Sequence, residues 1–99
     1  MKMLVLKYTY VEGMLDKRTP FRAGHLAGAK RQERAGNLLL GGAFGEPCDG
    51  ALLCFDAEKM TKEEVAKFAE EDPYVTGGLV PTRTIHELTA TTGLLRPKA

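Results

Sequence analysis

Between Thr61 and Pro73 the sequence specifies a helix at both of its ends. Thr61-Lys62-Glu63-Glu64 is a capping box, in which the threonine side chain accepts the Glu64 N–H and the glutamate reaches back to the Thr61 N–H. Met60 and Val65 are placed for a hydrophobic staple around it. Val65, Phe68 and Ala69 share one face, and Glu63, Lys67 and Glu71 line up at i,i+4 on the other. Pro73 pushes the residue before it out of the α region, so the helix stops near Glu71 and leaves Asp72 at its end. A helix C-terminus already carries partial negative charge, so an aspartate there is unfavourable unless something else accounts for it. One account is a turn aspartate that caps N–H groups around Pro73-Tyr74.

The rest of the chain arranges itself before and after this helix. Residues 3 to 11 suit a strand, with Leu4, Leu6 and Tyr8 on one face and Val5, Lys7 and Thr9 on the other. Glu12-Gly13 breaks it. A mostly helical segment follows from about Asp16 to Ala35. Thr19-Pro20 reads as its N-cap and first-position proline, with Asp16 as a competing cap one turn earlier. Gly36-Asn37 stops it, and Lys30, Arg31 and Arg34 sit near the C-terminal end, where cations are favoured. Its apolar face is thin (Phe21, Leu26, Ala27, Ala29), and Gly24 and Gly28 cost about 1 kcal/mol each against alanine. Such a helix needs tertiary support, and the two glycines can admit another backbone or a ligand.

Leu38 to Phe44 reads as a short buried strand whose paired glycines, Gly41-Gly42, suggest a bulge or a close approach. A loop from Gly45 to Gly50 leads into a second strand, Ala51 to Asp56, and the two are expected to form a hairpin. Leu79 to Leu88 is the last strand, with Pro81 arguing for an edge position or a bulge. The tail, Thr89 to Ala99, is polar, contains Pro97 and is expected to fray unless a partner holds it. The order β-α-β-β-α-β points to an α+β, ferredoxin-like plan: a four-stranded antiparallel sheet with two helices on one face. The expected organisation is a single domain over 1–99, with a core over 1–90 and a tail over 91–99. The uncovered sheet face predicts a homodimer that buries sheet against sheet.

Composition excludes several functions. The net charge of +1 supplies no field for nucleic acid or an anionic membrane. Apolar runs such as Leu38-Leu39-Leu40 fall far short of the roughly 20 residues that span a bilayer. The N-terminus lacks the h-region and cleavage site of a signal peptide. Two cysteines make no disulfide framework, which favours the cytoplasm. Cys48 has no nearby base, Cys54 fits the core, and His86 lies in the last strand, away from His25. Two histidines without close ligand spacing make no zinc site, and no Gly-rich phosphate loop is present.

Two groups of residues, set on this plan, resemble the YciI-like (YCII-related) family. One is Arg18, Arg22, His25 and Leu26 in the first helix, an R-x3-R-x2-H-L pattern. The other is Asp72-Pro73-Tyr74-Val75 with Gly77-Gly78-Leu79, similar to the family's D-P-Y/F-x-x-A-G-L segment. Gly41-Gly42, after a leucine-rich strand, fits the family's hairpin glycine. Gly77 departs from the pattern, standing where members often have alanine, and residues 80–99 do not clearly match the family's final strand. The resemblance implies a dimeric α+β barrel, with a pocket near the first helix holding a histidine–aspartate acid/base dyad. By position these are His25 and Asp72, with Arg18, Arg22, Gly42 and Tyr74 as substrate-binding candidates. Members with a known or suggested reaction are similar to cofactor-free lyases, dehydrochlorinases and muconolactone-isomerase-type enzymes acting on ring compounds, so no cofactor is expected.

The chemistry of these residues suits that expectation without requiring it. An unperturbed histidine titrates near neutrality and can both take and give a proton. His25 can equally be a partly buried helix residue bonded to backbone. Lys17, Arg18 and Arg22 gather at the start of the helix, where the dipole disfavours cations. A bound carboxylate, phenolate or enolate would be welcomed there. The alternative is a solvated face paired with Glu12 or Asp16. Tyr74 can line the same pocket or simply pack. The expected function is isomerisation or elimination on a small anionic, ring-derived molecule. The rival is a non-catalytic module that binds a metabolite, and a third option is a purely structural dimerisation domain.

Overall fold

Alternation along the first strand sets the core. In β1 (Lys2–Thr9), Leu4, Leu6 and Tyr8 are buried on one face while Lys7 and Thr9 are exposed on the other. This computed structural model describes residues 1–95. β1 is followed by a single turn, α1 (Met14–Lys17), and by α2 (Thr19–Arg34). The hairpin strands are β2 (Leu38–Phe44) and β3 (Gly50–Asp56). Then come α3 (Lys62–Glu71), the short α4 (Pro73–Thr76) and β4 (Thr82–Thr89). The sheet order is β2-β3-β1-β4, with every neighbouring pair antiparallel. This is the ferredoxin-like α+β arrangement.

Register carries the pattern of β1 across the sheet. Leu4 faces Phe55, Leu6 faces Leu53 and Tyr8 faces Ala51, so one side of β3 joins the same core. Met14, Met60, Val65, Ala69 and Tyr74 cover it from the helical layer. The capping box forms with both of its bonds, Glu64 N–H to Thr61 at 3.1 Å and Thr61 N–H to Glu64 at 2.9 Å. Phe55 and Phe68 meet edge to face at 5.3 Å, which ties α3 to the central strands.

Several elements depart from the sequence expectation, each for a physical reason. The first helical segment is broken at Arg18, because α1 ends at Lys17 and a second helix starts at Thr19. Thr19 is therefore its first residue, and Arg18 occupies the cap position without a side-chain bond. β2 is exposed along most of its length, with Leu39, Leu40 and Phe44 between 42% and 60% accessible, because it is an edge strand rather than a buried one. Its irregularity falls between Leu38 and Leu40, while Gly41 and Gly42 pair regularly with Leu53 and Leu52. The last strand begins at Thr82 and not at Leu79. Leu79 and Val80 are instead buried in the connection ahead of it, and Pro81 stands just outside an edge strand. Of the tail, Ala90 N–H bonds the Met1 carbonyl at 2.8 Å, and residues 96–99, including Pro97, lie outside the described residues.

Among the described residues the second sheet face carries no helix. Leu40, Phe44, Leu52 and Leu88 are exposed on it, beside Val5 and Cys54. No helix among the described residues is long and apolar enough to cross a membrane.

Candidate active site

The junction between α3 and α4 builds the site. Asp72 has extended backbone angles, so α3 ends there and α4 starts at Pro73. The residue that closes one helix thus opens the next, and its Oδ1 accepts the Tyr74 N–H at 3.0 Å. The aspartate that looked misplaced at a helix C-terminus sits at a favourable N-cap. Gly78, at φ 78°, closes α4 with a Schellman pair: Leu79 N–H to the Tyr74 carbonyl and Gly78 N–H to the Val75 carbonyl. A Cβ on Gly77 would lie 2.8 Å from the Phe21 ring, so the glycine makes room for α2.

Asp72 is only 4% exposed, and two further donors from other elements reach it. Tyr8, fully buried on β1, donates its hydroxyl to Oδ2 at 2.8 Å. His25 on α2 brings Nδ1 to 2.9 Å from both carboxylate oxygens. Helix α2 can come this close partly because residue 24 has no side chain: a Cβ on Gly24 would stand 3.0 Å from Pro73 Cγ. Gly28 has only its own helix's Arg31 within reach, so close approach concerns one of the two glycines. A carboxylate only accepts, so the neutral His25 ring carries its proton on Nδ1. Among the described residues Nε2 has no hydrogen-bond partner, and no buried side-chain nitrogen or oxygen is left unpaired.

Aromatic rings fix the imidazole from one side. Tyr74 stacks on His25 at 3.8 Å and 7°, and Tyr10 meets Tyr74 edge-on at 5.8 Å and 88°. Burial holds the Tyr8 phenol well above the usual tyrosine value, and the Asp72 charge adds to the effect. Tyr10 is raised chiefly by burial as well. Tyr74 is raised by burial, while the positive charges of Arg18 and Arg22 pull it down.

Two clefts meet at His25. The smaller, about 390 Å³, is lined by Tyr10, Arg18, Arg22, His25, Gly42 and Tyr74 among others, with Leu26, Leu38 and Leu53 as apolar wall. Its size suits a small organic molecule. The larger, about 670 Å³, runs between α2 and α3 past Arg31, Lys67, Phe68 and Asp72. All six candidate residues are thus accounted for: Arg18, Arg22, His25, Gly42 and Tyr74 border the smaller cleft, and Asp72 stands behind His25. Among the described residues neither Arg18 nor Arg22 is ion-paired, and Lys17 borders neither cleft. Tyr8 and Tyr10 are the residues that sequence reasoning assigned only to a strand. The available signal was two tyrosines two apart, since a buried phenol needs a partner for its hydroxyl.

The family model of the YCII-related domain matches residues 1–89. Among solved structures, the chain is similar to the 5-chloro-2-hydroxyhydroquinone dehydrochlorinase TftG from Burkholderia phenoliruptrix, in complex with 2,5-dihydroxybenzoquinone. That likeness has 22% identity and a TM-score of 0.75, over 90% of this chain and 95% of that one. It is also similar to protein Atu4242 from Agrobacterium tumefaciens, at 9% identity and a TM-score of 0.59, over 92% and 94% of the two chains. At these identities the two structures speak for the fold. Comparison with curated proteins finds no match.

Proposed function

The chain belongs to the YCII-related family, and from that premise we propose that it is a small acid/base enzyme acting on an anionic, ring-derived molecule. The observation that carries the reading is the His25–Asp72 contact at 2.9 Å, set at the edge of a cleft lined by two arginines that make no ion pair among the described residues. Asp72 fixes the ring with Nδ1 protonated and stabilises the imidazolium, leaving Nε2 to take a proton from substrate and return it. Arg18 and Arg22 hold the substrate's negative charge and the enolate that develops next to its carbonyl. Tyr74 and the backbone at Gly42 shape the cleft. Moving a proton, or a proton and a leaving group, needs only these residues; isomerisation and elimination both fit, and the similarity to a dehydrochlorinase favours elimination. The expected working form is a cytoplasmic homodimer joined through the open sheet face, whose exposed leucines and Phe44 support that use.

Deuterium exchange tests the chemistry. Small cyclic ketones, hydroxyquinols and oxo acids, incubated with the protein in D₂O, should exchange at the carbon beside the carbonyl. His25→Ala should slow that exchange by about 10²–10⁴-fold, the usual contribution of a positioned base. Exchange at the wild-type rate in His25→Ala would remove His25 from the chemistry. A second reading, a binding module without catalysis, is favoured by one feature: Asp72 ties β1, α2 and α4 together and so gives His25 a structural reason to be there. If a compound perturbs the His25 resonances yet is recovered without exchange after long incubation, the protein is a binding module.

A further inference from the structure

Asp72 accepts hydrogen bonds from Tyr74 N–H, His25 Nδ1 and the Tyr8 hydroxyl. The first caps a helix and the second orients a ring. The third comes from a fully buried side chain on a central strand, 64 residues away, which borders neither cleft. We propose that Tyr8 is a positioning residue that acts on His25 through Asp72, holding the carboxylate in place and favouring the neutral, proton-accepting imidazole. This deepens the acid/base reading above and rests on it for its significance.

The sign follows from where the charge is. A hydroxyl bonded to a carboxylate is strongest when that carboxylate has no other positive neighbour. Once the imidazolium forms, Asp72 is already compensated and gains less from Tyr8. The Tyr8 bond therefore stabilises the state with neutral His25 more than the state with charged His25. Burial keeps this difference large, because water does not screen it. The phenol itself stays protonated, since burial and the adjacent charge both oppose its ionisation. Other groups around the ring are Arg18 at the N-cap of α2, Arg22, Lys30 and Glu33 on α2, Tyr10 beyond β1 and Tyr74 from α4. Arg31 of α2 and Glu64, Lys67 and Glu71 of α3 line the larger cleft, and Arg83 on β4 lies opposite Tyr8 in register. Tyr8→Phe changes none of them, so it isolates the hydroxyl.

The test is an NMR titration of the His25 ring in the full chain: wild type, Tyr8→Phe, Asp72→Asn and the double variant. The midpoint should move upward in Tyr8→Phe, and adding Tyr8→Phe to Asp72→Asn should move it no further. His86, exposed on the open sheet face, is the internal control and should stay put in all four. A Tyr8→Phe midpoint equal to wild type overturns the proposal, as does an equal shift in the Asp72→Asn background, which would bypass the carboxylate. Site-specific replacement of Tyr8 by 3-fluorotyrosine keeps the shape and gives a stronger donor. It should move the midpoint downward, and it carries the test should Tyr8→Phe fail to fold. No substrate is used, so an absence of turnover, which would defeat the enzymatic reading, leaves this result standing by itself.

Discussion

Replacing Asp72 with asparagine separates a local role from a tertiary one. If Asp72 served only to cap α4, asparagine would cost almost nothing, because the two residues are about equally good at an N-cap. The structure predicts more. The bonds from the Tyr8 hydroxyl and from His25 reach a buried carboxylate at 2.8 and 2.9 Å. Bonds to an ionised acceptor contribute about 1.5–3 kcal/mol, against about 1 kcal/mol for neutral ones. Losing charge assistance in two bonds costs about 2–3 kcal/mol, and relief of carboxylate desolvation returns part of it. The expected net loss is roughly 1–2 kcal/mol, or a Tm about 5–15 °C lower for a domain of this size. Asp72→Ala leaves the Tyr8 hydroxyl, the Tyr74 N–H and the His25 ring without their acceptor, and should lose at least twice as much. The same variants report on the ring. An amide can donate to Nδ1, which moves the neutral proton to Nε2 and turns the ring's free edge from acceptor to donor; ¹⁵N shifts distinguish the tautomers. A Tm for Asp72→Asn within about 2 °C of wild type, with the tautomer unchanged, would refute the tertiary reading.

Three further outcomes are expected. All three tyrosines are buried and their phenols are raised, so folded stability is full below the ordinary tyrosine value near 10 and falls as pH rises above it, where only the unfolded chain ionises. Tyrosinate absorbance should therefore appear together with loss of circular dichroism, and an earlier tyrosinate step would contradict the burial. Gly77→Ala should cost about 1–3 kcal/mol in denaturant unfolding, because its Cβ would meet the Phe21 ring and the Pro73 carbonyl at 2.8 Å. Pairing it with Phe21→Leu should recover the part of the loss due to the ring and leave the part due to the Pro73 carbonyl, and an unaffected single variant would show that the contacts yield freely. Leu52→Lys, on the open sheet face, should convert the proposed dimer to a monomer in sedimentation, whereas a dimer that survives the charge would have to use another surface.

Local rules reach as far as local causes do. The capping box at Thr61–Glu64, the stop at Pro73 and the alternation of Leu4, Leu6 and Tyr8 each act within a few residues, and each could be read from the chain. The ferredoxin-like order followed from them. β2 was misjudged because its composition describes a buried strand while its position in the sheet leaves it at an edge; composition does not record which strand ends up outermost. The break at Arg18 is equally illegible, since Asp16 and Thr19 both look like acceptable caps, whereas α1 begins at Met14 behind Gly13, with Asp16 inside it, and Thr19 is the first residue of α2.

The site shows the same division within a single residue. Asp72 stood out because a charge at a helix C-terminus is locally unfavourable, yet the local account was incomplete: α4 makes the position an N-cap, which removes the anomaly. What the cap leaves over is burial. A solvated N-cap needs neither a hydroxyl from β1 nor an imidazole from α2, and Asp72 has both. A carboxylate held this deeply is stable only while its donors stay, so His25, Tyr8 and Tyr74 are constrained together. The resemblance could name His25 and Asp72, because they lie on recognisable motifs. Tyr8 lies on none: in the sequence it is one more inward residue of a strand, and only the pairing of β1 between β3 and β4, under α2 and α4, brings its hydroxyl to the carboxylate. A family motif therefore marks His25 and Asp72, while the hydroxyl that we propose tunes them is supplied by the sheet.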